Sequence, residues 1–394
     1  MERNMNRDTE IIMQGAEVKG TLSTPEVLPI YLTTAFHGGA DLDELNEYYA
    51  VKGYTYNRIR NPNRNALAEL VTYLEGGEAS MICSSGMGAI TTTLLSLADA
   101  GDHILANSNL YGETLEILDV IKRYGIESTC VDFTDVDAVR KAVQANTKII
   151  YTEVISNPTM AVVDVEAVAR IAHDCGAKLV VDNTFTTSTV IKPIDFGADV
   201  TINSLTKFMN GHSDIVGGSA TASKDIVDKA CKLQALLGCT LDPFSSYLCE
   251  RSLRTLDLRM ERQLKNAEAL AKALDEHPCV LKVNHPSLPT HPQHDIAKRL
   301  FAKGYGAMLS FEMPEDREKI NAFMRRLHIA KYAMTLGGYA TTLSYPILSS
   351  HASVPRDIRL KMGITDGLMR VSVGLEDAQD LIADFTQALS VFEE

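Results

Sequence analysis

Between about residues 60 and 225 the chain repeats one unit: a short apolar run, a turn, and a longer segment with apolar residues at helical spacing. "HILAN" (103–107), "KIIYTEV" (148–154), "KLVVDNT" (178–184), "ADVTIN" (198–203) and "GGSATAS" (217–223) read as strands. "NALAELVTYLEGG" (65–77) places Leu67, Leu70, Val71 and Leu74 on one helical face and stops at a double glycine. "MGAITTTLLSLADAG", "GETLEILDVIKRYG", "DVDAVRKAVQ" and "DVEAVARIAHDCG" read as helices in the same way. Strands separated by helices of about 10–15 residues require crossover connections, which run strands parallel and cover both faces of the sheet. The repeat therefore predicts an α/β fold, and in such sheets ligands bind at the carboxyl ends of the strands.

A chain of 394 residues exceeds one ordinary core, so two domains are expected. The pattern changes near residue 253, where "TLDLRMERQLKNAEALAKAL" opens a mixed segment that closes with "LEDAQDLIADFTQALSVFEE". The expected division is an arm over 1–58, a large domain over 59–252 and a smaller α/β domain over 253–394. The arm shows little periodicity and reads as extended, with a neighbouring subunit as its natural support. The 38 basic against 51 acidic residues give a net charge of -13, which disfavours nucleic acid as a partner. The amino terminus lacks a signal-peptide core, and no apolar run reaches the length of about 18 residues that a membrane span needs. Seven cysteines without a CxxC pair fit free thiols, and the expected location is the cytoplasm.

Several polar residues fall at the expected ligand edge. Asp182 closes "KLVVD", Ser156 and Asn157 follow "KIIYTEV", and Ser204, Thr206 and Lys207 follow "DVTIN". "SSGMGAI" joins a strand to a helix through Gly86 and Gly88, and Tyr111 begins a helix after "HILANSNL". Each has an ordinary reading: a tight glycine turn, a strand-end aspartate cap, a surface lysine. A dinucleotide fingerprint on "GMGAIT" is incomplete, because Thr91 stands at the third glycine position. Taken together the residues describe pyridoxal 5'-phosphate. That cofactor needs a phosphate cup, a carboxylate on its pyridine nitrogen, a lysine amine for its aldehyde and a flat partner for its ring. Gly86, Met87, Ser204 and Thr206 supply the cup, Asp182 the carboxylate, Lys207 the amine and Tyr111 the stack. The separation of 25 positions from Asp182 to Lys207 leaves room for one loop and one strand between neighbouring strand ends. His285, His291 and His294 in "NHPSLPTHPQHD" lack a paired Cys or carboxylate pattern and read as a surface loop, with no metal expected.

The run "DNTFTT…NSLTKFMNGHSDIVGG" resembles the Cys/Met-metabolism family of pyridoxal-phosphate enzymes, which includes cystathionine γ-synthases and γ-lyases, methionine γ-lyases and O-acetylhomoserine sulfhydrylases. "PIYLTTAF" (29–36), "YNRIRNPNR" (56–64), "SSGMGAI" (84–90), "LYGET" (110–114), "SNPTM" (156–160), "LGG" (336–338) and "GLMRVSVGLED" (367–377) extend the resemblance along most of the chain. It implies fold type I, with a mostly parallel seven-stranded sheet in the large domain and a smaller C-terminal α/β domain. It also implies a homotetramer of close dimers with shared sites. Tyr56 and Arg58 resemble the pair that reaches the phosphate of the adjacent subunit's cofactor, Tyr56 also bordering the substrate. Ser85 joins the phosphate cup, Asn157 resembles the contact to the ring hydroxyl, and Arg370 resembles the clamp on the substrate α-carboxylate. Thr335 falls on the substrate side. Lys207 and Tyr111 are the acid–base candidates.

These residues serve two outcomes equally. Loss of the group on Cγ (or Cβ) yields a 2-oxo acid, ammonia and a thiol; capture of the intermediate by a thiol yields a new thioether. The favoured reading is a carbon–sulfur lyase acting on a sulfur amino acid, with a transferase using an activated homoserine ester as the alternative. Three positions depart from the family pattern: Glu113 after Gly112, Ala340 where many members carry glutamate, and Ile155 where proline is usual. Glu113 is expected to place a carboxylate near the leaving group and so favour a substrate with a cationic or hydrogen-bonding distal end.

Overall fold

The computed structural model describes residues 6–13, 25–38, 41–50, 53–349, 352 and 355–393. Seven strands form the large sheet: β1 (Ala79–Cys83), β2 (His103–Asn107), β3 (Glu127–Val131), β4 (Thr147–Glu153), β5 (Lys178–Asp182), β6 (Val200–Asn203) and β7 (Gly218–Ala222). Their order is β1-β7-β6-β5-β4-β2-β3, and only β7 runs against the rest. The mostly parallel seven-stranded sheet expected for fold type I is present. Parallel strands of this kind need both faces covered. In β4 the alternation divides accordingly, Ile150 facing one core and Ile149 and Tyr151 the other. The edge strand β3 has no such apolar run ("ESTCV"), is partly exposed, and gives no strand signal in the sequence.

Helix α3 (Pro62–Glu75) shows how the sequence fixes local structure. The Asn61 side chain accepts from the backbone N–H of Asn63, and Pro62 occupies the first helical turn where its missing N–H costs nothing. Gly76 ends the helix in the left-handed conformation (φ 79°), donating its N–H to the Thr72 carbonyl at 2.9 Å. Leu67, Leu70, Val71 and Leu74 are fully buried against the sheet, each worth about 1.5–3 kcal/mol of burial. Leu70→Ala would remove one of these anchors.

The second sheet, order β10-β11-β12-β9-β8 with β10 (Lys331–Tyr332) and β8 (Lys282–Asn284) at its edges, lies in the C-terminal part. Its central strands are β9 (Met308–Glu312), β11 (Thr342–Ser344) and β12 (Leu368–Ser372), antiparallel across β12. Phe311, Phe323 and Phe385 pack together there with ring centroids 6.0–6.2 Å apart. The helix Leu256–Asp275 contributes Ala267, Leu270, Ala271 and Leu274 to the same core.

The amino-terminal segment differs from the extended arm expected. Its described residues carry two short helices, α1 (Arg7–Met13) and α2 (Leu42–Ala50). The first is held by its own chain: Ile11 is buried, Arg7 pairs with Asp257 at 2.7 Å, and Arg254 donates to the Ile11 carbonyl. A seven-residue helix with few apolar positions leaves little periodicity to read. Residues 1–5, 14–24, 39–40 and 51–52 of the expected arm lie outside the described residues.

Candidate active site

The carboxyl ends of β4, β5 and β6 meet the amino end of helix α4 (Gly86–Leu97) and the start of helix α5 (Gly112–Ile121) around one cavity of about 920 Å³. Ser85, Gly86, Met87, Tyr111, Glu113, Asn157, Asp182, Ser204, Thr206, Lys207, Thr335 and Arg370 all line it. Twelve of the fourteen residues expected from the sequence are thus brought together from seven stretches of chain.

One end of the cavity is a helix amino terminus. Ser85 caps α4 by accepting from Gly88 N–H at 2.9 Å, while the N–H groups of Gly86 and Met87 find no acceptor among the described residues. A Cβ on Gly86 would stand 3.0 Å from the Ser204 Cβ and 3.4 Å from its Cα, so glycine lets the helix come this near to the β6 loop without displacing Ser204. The Thr206 hydroxyl is engaged with Gly217, donating to its carbonyl at 3.2 Å and accepting from its N–H at 3.0 Å. That exchange pins the loop leading to Lys207.

Lys207 is half-buried, and its Nζ donates to Thr335 Oγ1 at 3.5 Å. Burial, then the nearby Arg370 guanidinium, push its ammonium below the usual lysine range, with Glu113 opposing weakly. Asp182 Oδ1 accepts from Thr184 N–H at 2.9 Å, and Thr184 Oγ1 in turn accepts from Ser204 N–H at 2.8 Å. Burial holds the Asp182 carboxyl above its ordinary value, against the stabilising contacts of Thr184. Arg370, 7% exposed on β12, donates to Asn157 Oδ1 at 2.9 Å. Burial lowers its pKa to about 10, and it has no carboxylate partner among the described residues. A buried guanidinium with one amide neighbour is ready for a bidentate anion. Tyr111 stands at the mouth, its hydroxyl pushed up by burial and by Glu113 beside it.

Tyr56 and Arg58 lie outside this cavity. Both are on the surface, the guanidinium 5.6 Å from the Tyr56 ring centroid and bonded to the Ala235 carbonyl. Ala340 is also absent from the lining. The histidine segment is a correction: His285 is fully buried and His291 6% exposed, not on a surface loop. His285 bonds Ser287 Oγ and the Gly306 carbonyl, His294 bonds the Pro286 carbonyl, and no metal-binding cluster occurs among the described residues. Their neighbouring prolines suggested a surface segment, but satisfied ring nitrogens let His285 pack inside, while His294 stays partly exposed.

Glu153 and Thr184 are among the polar lining residues not expected from the sequence. Glu153 closes an apolar strand just as Asp182 does, so the same signal was available. The cavity wall formed by Ser349, Ala352, Ile358 and Met362 comes from the C-terminal part and carries no motif.

A lysine whose ammonium is pushed below its usual range by burial, a carboxylate on the adjacent strand end and an open helix amino terminus fit pyridoxal 5'-phosphate; the donor set matches aldehyde, ring nitrogen and phosphate in turn. Fold and site define a fold type I pyridoxal-phosphate enzyme.

The chain belongs to the Cys/Met metabolism PLP-dependent enzymes, whose family model matches residues 8–390. It is 44% identical to a cystathionine gamma-lyase of Bacillus subtilis over 86% of this chain and 89% of that one. It is 38% identical to an L-methionine gamma-lyase of Fusobacterium nucleatum subsp. polymorphum over 94% of each. Among solved structures, a cystathionine gamma synthase from Xanthomonas oryzae pv. oryzae in complex with cystathionine superposes with a TM-score of 0.92 at 35% identity, covering 99% of both chains. Pyridoxal phosphate is therefore this protein's cofactor, and no helix among the described residues is long and apolar enough to cross a membrane.

Proposed function

We propose that this cavity carries out γ-elimination on a thioether amino acid, with Lys207 as the proton-transfer group and Arg370 as the α-carboxylate clamp. The enzyme is a PLP-dependent carbon–sulfur lyase of the trans-sulfuration family. The observation that carries the division of roles is the pairing of a half-buried and a buried cation with different partners. Among the described residues Lys207 reaches only a threonine hydroxyl and Arg370 only an amide, so each is available to a ligand.

When bound, the cofactor supplies an electron sink that makes the Cα and Cβ protons acidic and allows a group on Cγ to leave. The chain's residues do the rest. Arg370 holds the α-carboxylate, fixing which bond at Cα stands toward Lys207. Lys207, whose ammonium burial makes easier to deprotonate, takes the Cα proton and returns it to carbon later. Asp182 keeps the ring nitrogen positively charged. Asn157 contacts the ring hydroxyl, Tyr111 covers the ring face and assists proton transfer near the leaving sulfur, and Thr335 borders the substrate. Ser85, Gly86, Met87, Ser204 and Thr206 cup the phosphate. With one water consumed, the products are a 2-oxo acid, ammonia and a thiol.

Glu113 and Glu116, one helical turn apart on α5, both line the cavity. Glu113 favours substrates whose distal end is cationic or donates hydrogen bonds, cystathionine above methionine. The exposed Tyr56 and Arg58 serve the phosphate of a neighbouring subunit within a homotetramer of close dimers, Tyr56 also bordering that subunit's substrate. The division into an arm (1–58), a cofactor-binding domain (59–252) and a C-terminal domain (253–394) accords with the two sheets. Seven free thiols accord with the cytoplasm.

A second reading, γ-replacement from a homoserine ester, is favoured by the close superposition on a synthase. Release of 2-oxo acid from cystathionine, methionine, homocysteine and cysteine, measured beside O-acetylhomoserine plus a thiol, separates the two. Turnover only with ester and acceptor overturns the lyase reading.

A further inference from the structure

Glu153 is a buried acid with no part in the scheme above. It closes β4 directly opposite Asp182, which closes β5, so the two carboxyl groups stand side by side at neighbouring strand ends. It is 7% exposed and lines the cavity. Its Oε1 accepts the backbone N–H of Tyr111 at 2.6 Å. Tyr111 is the residue that starts α5, and its own side chain makes no capping hydrogen bond. The cap that the local sequence omits is supplied from the next strand.

Two carboxylates so placed, with no ion pair to either among the described residues, cannot both stay ionised away from water. The proton settles on the one with fewer donors. Asp182 accepts from the Thr184 N–H, and the hydroxyls of Thr184 and Tyr151 stand beside it. Among the described residues Glu153 has the Tyr111 N–H alone. Burial, then the Asp182 charge, hold Glu153 well above the carboxylate range, in line with that assignment.

We propose that Glu153 is a positioning residue: a neutral carboxyl group that pins the main chain of Tyr111 and leaves the negative charge at this sheet edge on Asp182. The ring of Tyr111 can then cover the cofactor face only where this bond holds it. The reaction scheme asks nothing else of Glu153, so this inference stands apart from the choice between elimination and replacement.

The test compares Glu153→Gln and Glu153→Ala in the holoenzyme. Glutamine keeps a neutral oxygen acceptor for the Tyr111 N–H, so kcat, cofactor affinity and the pH dependence of the visible cofactor band should stay within about threefold of wild type. Alanine frees Tyr111, so kcat should fall about tenfold to a hundredfold, with KM moving less and the cofactor dissociating more readily. Equal damage from both variants would mean that the charge is needed, and an unchanged alanine variant would mean that nothing is positioned; either overturns the proposal. If the alanine variant does not fold, infrared difference spectra of wild type and Glu153→Gln decide. A protonated-carboxyl band lost in the glutamine variant supports the assignment, and its absence from wild type refutes it.

Discussion

Gly337 joins the C-terminal part of the chain to the cofactor lysine through a contact that only glycine permits. Its φ is +79°, and a Cβ there would lie 2.5 Å from Phe208 N, 2.8 Å from Lys207 C and 3.0 Å from Lys207 Cα. All three are backbone atoms, so no side chain can rotate away. Non-bonded carbon atoms prefer about 3.5–4.0 Å, and Gly337→Ala must therefore displace one backbone by roughly 1 Å. The left-handed conformation adds about 1–2 kcal/mol for any L-residue. The same loop carries Thr335, the acceptor for Lys207 Nζ, so the shift reaches both ends of the lysine. A displacement of that size at a reacting group costs about 10²-fold in rate, against a modest loss of stability. The assay is kcat for 2-oxo acid release, with the visible cofactor band and the thermal midpoint measured on the same sample. Gly338→Ala is the control, because its new Cβ would meet only the Ser213 side chain, Oγ at 2.6 Å, which can turn aside. A Gly337→Ala enzyme within about twofold of wild-type kcat, or no worse than Gly338→Ala, refutes the reasoning.

Arg370→Lys keeps the charge but loses the fork that suits a carboxylate, so KM for the amino acid should rise about tenfold or more while cofactor binding is unchanged; steady-state kinetics and a cofactor titration check both. Glu113→Gly should lower kcat/KM for cystathionine relative to methionine; an unchanged ranking removes Glu113 from substrate selection. Buried Glu75, which accepts from Asn183 Nδ2 at 3.2 Å, has its pKa raised by burial from 4.5 to about 7. The folded state holds a proton that the unfolded state releases, so its contribution is full below the unfolded value and is lost as pH rises through about 7, roughly 3 kcal/mol in all. Glu75→Gln should therefore gain stability relative to wild type between about pH 5 and pH 8, read from urea midpoints; a constant difference across that range contradicts the shift.

The parallel sheet and most of the cavity were legible because buried strands and their ends leave a local signature. "KLVVD" announces both a strand and the acid that ends it, and "SSGMGAI" both a turn and a helix start. What stayed hidden depends on pairing that no local pattern encodes. The edge strand β3 is polar on its open side and is recruited by β2, not by its own composition. Glu153 was visible as a strand end, but its importance comes from the register that sets it against Asp182. His285 and His291 misled for the opposite reason: their prolines read as a surface loop, while both rings are buried and His285 is bonded to the Gly306 carbonyl.

The distribution of polar groups explains why the site needs both sheets. The large sheet offers Asp182 and Lys207 at strand ends, which can hold and activate a ring, but neither can recognise an α-carboxylate. That role requires a cation kept dry, and a guanidinium at the rim of the large sheet alone would remain hydrated and weakly discriminating. Arg370 gains its dryness from β12, in the middle of the second sheet, and its direction from Asn157 in the first. The contact between Gly337 and the Lys207 backbone sets the spacing of the two sheets at the same place. Proton abstraction and carboxylate binding therefore share one mechanical joint. A perturbation of the joint should lower kcat and kcat/KM together, whereas one confined to Arg370 should act mainly through KM.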